Sequence, residues 1–381
     1  MKYYLIAGEA SGDLHGSNLI KALQQKDANA NMRCWGGDLM QQTGATLVRH
    51  YKHLAFMGFV EVIKNLRTIF RNISFCKKDI LQYKPDVLIL IDYPGFNLPI
   101  AKWAHQQHIK IIYYISPQVW AWKASRVKSI KKNVDKMLVI LPFEKAFYQQ
   151  YNYTVDYVGH PLVQVIEQFK QQYQFQPLFP NHQPHHTIIA LLPGSRKQEI
   201  TKKLPIMLSA TKTFPQCTFV LAQAPGLEDN FYTDYIKNYP NVYSIKNNTY
   251  ALLANAKAAI VTSGTATLET ALFAVPEVIC YKGNAISYAI AKRLVHIKYI
   301  CLVNLIMDKA VVKELIQNDV TVENIQTELQ TLLYNTQHKQ QLQQDYDALK
   351  TLLHKGGDAS ANAADIIWKA LNRVGTHQKA T

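Results

Sequence analysis

The chain has 381 residues, longer than the roughly 250–300 at which a single hydrophobic core stops growing, so two domains are expected. A composition of 48% hydrophobic and only 18% charged residues excludes a disordered or fibrous chain. The 42 Lys+Arg against 27 Asp+Glu leave a formal charge of +15, which suits nucleic acid, an anionic membrane surface or a phosphorylated substrate and does not choose among them.

The amino terminus, MKYYLIAGEASGD, has one lysine and an apolar run too short for a signal peptide, and it leads directly into a strand expected over 3–7. The adjoining GEASGDLHG spaces Gly8, Gly12 and Gly16 by four, which matches neither a dinucleotide fingerprint nor a Walker loop. It reads as a strand-to-helix turn that presents Glu9, Ser11 and Asp13 to sugar hydroxyls, with a helix from about Leu14; Ser11 or Asp13 as a helix N-cap is the plainer alternative. A second strand is expected over 32–35.

In the stretch 54–75, Phe59, Val62, Ile63, Leu66, Ile69, Phe70 and Ile73 share one helical face, and Glu61, Lys64, Asn65, Arg67, Arg71 and Asn72 share the other. Such a helix docks on its own core or, given the extra apolar Leu54, Ala55, Phe56 and Met57, lies on an anionic membrane surface. No uninterrupted apolar stretch reaches the roughly 18 residues needed to cross a bilayer.

The segment KPDVLILIDYPGFN comes next. Its aliphatic run 87–91 reads as a buried parallel strand, ending in Asp92 ahead of a turn at Pro94 and Gly95. The acid either caps the adjoining turn or helix, or sits where open α/β sheets bind ligands, just beyond the strand's carboxyl end, as a general base. After a helical run at 100–105, strands are expected over 111–115, 137–140 and 155–158, with the basic segment WKASRVKSIKK and Trp120 between them.

This alternation predicts residues 1–166 as a Rossmann-like, acceptor- and membrane-facing domain, and the Gln-, Pro- and His-rich 167–186 as a linker. Strands expected over 187–192, 217–222, 242–244, 258–262 and 277–281 outline a second domain, 187–345, succeeded by a helical tail, 346–381, that packs on either half. The fold class is therefore α/β, with two Rossmann-like domains facing across a cleft.

In the second domain, Pro193, Gly194, Ser195 and Arg196 come after a strand, and exposed amides beside a guanidinium suit phosphate. Further on, Ser263, Gly264 and Thr265 separate a strand from a helix near Ala266, whose positive end suits an anion, and Glu269 one turn later is placed for ribose hydroxyls or for a capping box. Asp345-Tyr346-Asp347 resembles a metal-binding D-x-D but falls within an expected helix, and His182, His185 and His186 lie in the linker, so no metal is inferred. The five cysteines are odd in number and scattered, with no C-x-x-C pair, and read as reduced thiols in a cytosolic protein.

Taken together, AGEASGD, IDYPGFN, YYISPQVWAWKASRVKSI, LPFEKAFY, YVGHPL, LLPGSR with Glu199, SGTATLE and LVNL with the later VVKELIQ resemble the lipid-A-disaccharide synthase family over nearly the whole chain. The resemblance implies a GT-B fold and transfer of diacylglucosamine from UDP to the 6′-hydroxyl of diacylglucosamine 1-phosphate, with inversion and without metal or cofactor. It implies Asp92 as general base with Glu9 and Ser11 on the acceptor side. Ser195, Arg196, Glu199, Gly264, Thr265, Glu269 and Asn304 would serve the UDP-sugar, and Phe56, Met57, Phe59, Val62, Ile63, Leu66 and Phe70 the acyl chains or the bilayer. A cytoplasmic protein held at the inner face of the membrane is the corresponding expectation, with no nucleic-acid partner and with oligomerisation left open. The competing classes are another UDP-sugar enzyme, namely a UDP-N-acetylglucosamine 2-epimerase or the transferase of the second peptidoglycan lipid intermediate, and a basic binding protein with no enzymatic activity.

Overall fold

The protein is described by a computed structural model covering residues 1–53, 66–122, 124–180, 182–183, 186–224, 226–283, 288 and 298–372. The chain divides into two units, one comprising Met1–Pro161 and the chain from Leu353 onward, the other Leu162–Leu352. Helix Pro161–Gln172 spans the start of the second unit.

The first unit is built on a seven-stranded sheet. Its strands are β1 (Lys2–Ala7), β2 (Asn31–Gly36), β3 (Thr46–His50), β4 (Val87–Ile91), β5 (Ile111–Tyr114), β6 (Lys136–Val139) and β7 (Asp156–Tyr157), in the order β3-β2-β1-β4-β5-β6-β7. All the pairings are parallel. Parallel pairing needs helical crossovers that cover both faces, which is why the central strand VLILI is apolar at every position and fully buried. Alternate residues of β1 enter different cores. Tyr3, Leu5 and Ala7 pack with Leu19, Ile20 and Leu23 of helix Ala10–Lys26, whereas Tyr4 and Ile6 pack with Trp35, Phe96, Ile100 and Val127.

The last helix, Ala359–Asn372, belongs to this unit. It places Ala359, Ala363, Ala364 and Ile367 in the core beside helix Ala10–Lys26, and Asp365 pairs with Lys26 at 2.8 Å.

The second unit has β8 (Ile188–Leu192), β9 (Thr218–Gln223), β10 (Val242–Lys246), β11 (Ala256–Thr262), β12 (Glu277–Tyr281) and β13 (Lys313–Ile316), in the parallel order β10-β9-β8-β11-β12-β13. In both sheets the order reverses direction once, between β1 and β4 and between β8 and β11. These are the points where connections leave to opposite sides and a crevice opens beyond the strand ends.

Helix Leu66–Tyr83 differs from its expected amphipathic phase. Asn72, expected on the polar side, is buried with Cys76, Asp79 and Ile80, while Phe70, expected on the apolar face that docks on the core or meets a membrane, is 66% exposed. The rotation is set by Asp79, whose carboxylate accepts from Arg33 Nη2 at 2.5 Å and Tyr4 Oη at 2.6 Å and turns that side of the helix toward β1 and β2. Phe56, Met57, Phe59, Val62 and Ile63 lie outside the described residues, and Leu66 opens the helix without a described side chain. Among the described residues, no helix is long and apolar enough to cross a membrane. All five cysteines are buried and unbridged.

Candidate functional site

In the first unit, Ala7 lies in register with Ile91, so the loops leaving β1 and β4 emerge side by side at the switch point. Asp92 and Tyr93 have φ of 43° and 48°, two consecutive non-glycine residues in the left-handed region, a conformation that costs about 1–3 kcal/mol each unless the surroundings impose it. Several bonds impose it here. The Asp92 N–H donates to Tyr114 O at 3.1 Å, and the Asp92 carbonyl accepts from Asn97 Nδ2 at 2.8 Å and Tyr113 Oη at 2.5 Å. Helix Pro94–Gln106 then starts at a proline, with Tyr93 as its N-cap residue and no side-chain cap. Asp92 is therefore not the cap.

The Tyr93 ring stacks on Phe96 with centroids 5.9 Å apart and lies over Gly8, where a Cβ would fall 2.2 Å from the ring. Burial first, and then the neighbouring Glu9 carboxylate, raise the Asp92 carboxyl to about 7, with the Tyr93 backbone N–H pulling the other way. The turn thus holds out a carboxylate that titrates near neutrality, the range in which a general base works best.

The glycine-spaced segment is not an open turn. Helix Ala10–Lys26 begins four residues earlier than the pattern predicts, with Glu9 as its N-cap residue and no side-chain cap bond. Gly12 and Gly16 serve packing, since a Cβ would lie 3.1 Å from Ala7 Cβ and 2.7 Å from Met40 Sδ, respectively. Ser11 is exposed on the first turn. Asp13 is buried, and its carboxylate is committed to backbone donors. Its Oδ1 accepts from the N–H groups of Gly37 at 2.7 Å and Met40 at 3.0 Å, and its Oδ2 from that of Leu39 at 3.1 Å. It caps the short helix Asp38–Gln42 from a distance and is not the cap of its own helix.

In the second unit, Val261 lies in register with Leu192, and a cavity of about 270 Å³ occupies the switch point between β8 and β11. Ser195, Glu199, Gly264, Thr265 and Glu269 all line it, joined by Thr262, Ser263, Gln223 and Thr249. Gly194 has φ +116°, and a Cβ there would sit 3.1 Å from Glu199 Oε2 and 3.2 Å from Thr262 Cγ2, so only glycine lets the loop turn this tightly. Gly264, at φ +143°, is the N-cap residue of helix Thr265–Leu272 and has no side chain to satisfy the first-turn N–H groups, so a helix N-terminus opens onto the cavity. Glu269 does not form the capping box expected as its plainer role; it accepts from Tyr250 Oη at 3.0 Å, and burial raises its carboxyl.

Arg196 is exposed and pairs with Glu199 at 3.2 Å across one helical turn. Asn304 is buried and its amide is committed locally: Oδ1 accepts from the Val311 and Val312 N–H groups, and Nδ2 donates to Val312 O and Glu314 Oε1. It lies on the wall of a separate cavity of about 390 Å³ with Tyr299, Glu314 and His338. Asp345 stands within helix Thr336–His354 and pairs with Lys309 at 2.7 Å.

Three polar groups at the cavity between β8 and β11 have no signal in the linear pattern: Tyr250, which orients Glu269; Gln223, whose Nε2 donates to Ser244 Oγ at 3.0 Å; and Lys203, buried against Thr262. Each comes from a different element from the Gly-rich turns.

Comparison with known proteins bears on both sites together. The sequence profile of the lipid-A-disaccharide synthetase family matches residues 3–368. The chain is 39% identical over 365 residues to a lipid-A-disaccharide synthase of Syntrophus aciditrophicus, covering 94% of this chain and 95% of that one. It is 38% identical over 367 residues to the lipid-A-disaccharide synthase of Coxiella burnetii, covering 95% and 96%. Among solved structures, the UDP-GlcNAc 2-epimerase of Neisseria meningitidis bound to UDP-GlcNAc superposes with a TM-score of 0.68 at 15% identity over 98% of this chain and 100% of that one. A calicheamicin glycosyltransferase gives 0.62 at 14% identity, covering 98% of each chain. Identities this low carry the fold alone, which is GT-B, whereas the sequence relatives separate the transferase from the epimerases that share it. With two switch-point sites on two Rossmann-type sheets and a match running almost end to end, the chain belongs to the lipid-A-disaccharide synthase family of glycosyltransferase enzymes.

Proposed function

We propose that this enzyme joins UDP-2,3-diacylglucosamine to 2,3-diacylglucosamine 1-phosphate, with inversion, to give the lipid A disaccharide 1-phosphate and UDP. The observation that carries the reading is Asp92, a carboxylate titrating near 7 on a turn whose strain is held by its neighbours. In a single displacement the acceptor's 6′-hydroxyl gives its proton to Asp92 as its oxygen bonds to the anomeric carbon. The bond from that carbon to the diphosphate oxygen breaks, and UDP leaves with the electron pair.

Glu9 and Ser11 serve the acceptor side, Glu9 also by lifting the Asp92 pKa. The cavity between β8 and β11 takes the nucleotide, with Ser195, Gly264 and Thr265 offering backbone amides to the diphosphate and Glu269 offering its carboxylate to the ribose hydroxyls. Arg196 would exchange Glu199 for phosphate oxygens as charge develops on the leaving group. Asn304 acts indirectly, by holding the loop that carries Val311 and Val312. The experiment is UDP release from the diacylated donor measured with and without the monosaccharide acceptor. Release is expected only with both; release without the acceptor, or epimerised donor as the product, would overturn the reading.

Both substrates are lipids, so the enzyme works at the cytoplasmic surface of the inner membrane. The support on this chain is the exposed side of helix Leu66–Tyr83, where Phe70, Phe75 and Leu81 stand out among Arg67, Arg71 and Lys78. Sedimentation with anionic vesicles at low salt is expected to weaken severalfold in Phe70→Glu and to be lost for the wild type as salt screens the lysines and arginines. Equal sedimentation of the variant would remove Phe70 from the contact.

A further inference from the structure

Lys203 lies in the middle of helix Lys197–Thr211, where Ile200, Leu204 and Met207 are buried apolar neighbours. Its side chain is only 3% exposed, and Nζ donates to Thr262 Oγ1 at the carboxyl end of β11. No carboxylate forms an ion pair with it among the described residues. A buried ammonium held by a hydroxyl is costly, and an apolar side chain of similar length would pack in its place at no such cost.

The position of the charge suggests what offsets that cost. Thr262 lines the nucleotide cavity, and so does Glu199, one turn before Lys203 on the same helix. The ionisable groups facing the ammonium are the Glu199 carboxylate, the Cys280 thiol of β12 and the Arg196 guanidinium. Thr262 is held in turn, its hydroxyl reaching Cys280 O at 3.3 Å. Lys203 therefore stands directly beneath the cavity floor, one side chain removed from the space a ligand would fill. Burial, the largest influence, pushes its ammonium below the ordinary range, and Glu199 opposes that shift.

We infer that Lys203 is a positioning residue for the leaving diphosphate: a fixed positive charge under the cavity floor that acts through Thr262 and makes the site favour a nucleoside diphosphate over the bare nucleoside. The inference rests on the reading of this cavity as the nucleotide site. Cleavage of the sugar–phosphate bond adds a negative charge to the diphosphate, so a cation beneath it favours the departing product over the intact donor.

The test is calorimetric binding of UDP and of uridine to the full-length wild type and to Lys203→Met and Lys203→Gln. Both variants are expected to bind UDP roughly tenfold or more weakly while uridine affinity stays within about twofold, because only the diphosphate senses the charge. A merely structural role would weaken both ligands together. Lys203→Met is also expected to melt no lower than the wild type, since it replaces a buried charge with an apolar group. Lys203→Gln keeps a bond to Thr262 without the charge, so it reports on the charge even if the methionine variant folds poorly. A preference for UDP that survives both substitutions would overturn the role of Lys203 alone. A wild type that binds UDP no more tightly than uridine would overturn the nucleotide reading of the cavity and this inference with it.

Discussion

Asp92→Asn is expected to lower turnover by about 10²- to 10⁴-fold with little change in the affinity for the UDP-sugar, because it removes the proton acceptor and leaves the cavity of the other unit untouched. The substitution is nearly isosteric, and the bonds that hold the turn go to the backbone of residue 92 and survive it. The wild-type pH profile carries the same information. With the carboxyl raised to about 7, kcat/KM should climb tenfold per pH unit below that value and level off above it, and this limb should vanish in the variant.

Stability should move in the opposite direction. A carboxyl whose folded value lies above its ordinary 3.8 binds a proton more tightly in the native state, so the wild type loses stability as pH rises from about 4 through about 7. Asparagine cannot ionise, and the variant should melt at or above the wild type at pH 8. Activity above about a tenth of wild type would remove Asp92 as the base.

The largest effect on folding is expected at Asp13. One carboxylate satisfies three backbone N–H groups of the segment after β2, two of them in fully buried bonds. Asp13→Ala leaves those donors without partners at about 1–3 kcal/mol each, less whatever water recovers, so a loss of roughly 3–5 kcal/mol from the first unit is expected. At the usual response of a domain this size that is on the order of 10 °C in the melting temperature of the first unit. Asp13→Asn should fall between. It keeps Oδ1, which serves Gly37 and Met40, but sets an amide against the Leu39 N–H. A change below about 1 °C in Asp13→Ala would show that these bonds contribute nothing net.

Much of both sheets was legible because a parallel strand buried on both faces must be a short run of aliphatic residues, as 87–91 and 188–192 are. The two strands that escaped, β3 (TLVRH) and β13 (KELI), are edge strands with charged residues and partial exposure, and their pattern is that of a loop. The early start of helix Ala10–Lys26 escaped because glycine has two uses. Spacing by four looks like a turn, but it also places Gly12 and Gly16 on one helix face, where close packing excludes a side chain.

At the sites, Asp92 and the turns carrying Ser195 and Thr265 could be found because a turn's chemistry is written in adjacent residues. Tyr113, which helps hold the Asp92 turn, and Tyr250, which holds Glu269, could not, since each meets its partner only when separate elements pack together.

Taken alone, the amino-acid sequence determined two parallel sheets, the acid at the end of the strand 87–91, and two glycine turns suited to an anion. These arise from periodicity and turn chemistry, which act between neighbours along the chain. The tertiary structure decided that Asp13 serves the backbone after β2, that Phe70 faces outward, that Lys203 lies under the cavity floor, and that the last helix returns to the first unit. Each of those depends on which segments the topology brings together, as when Asp365 meets Lys26 far from it in sequence, and no local pattern encodes such a meeting.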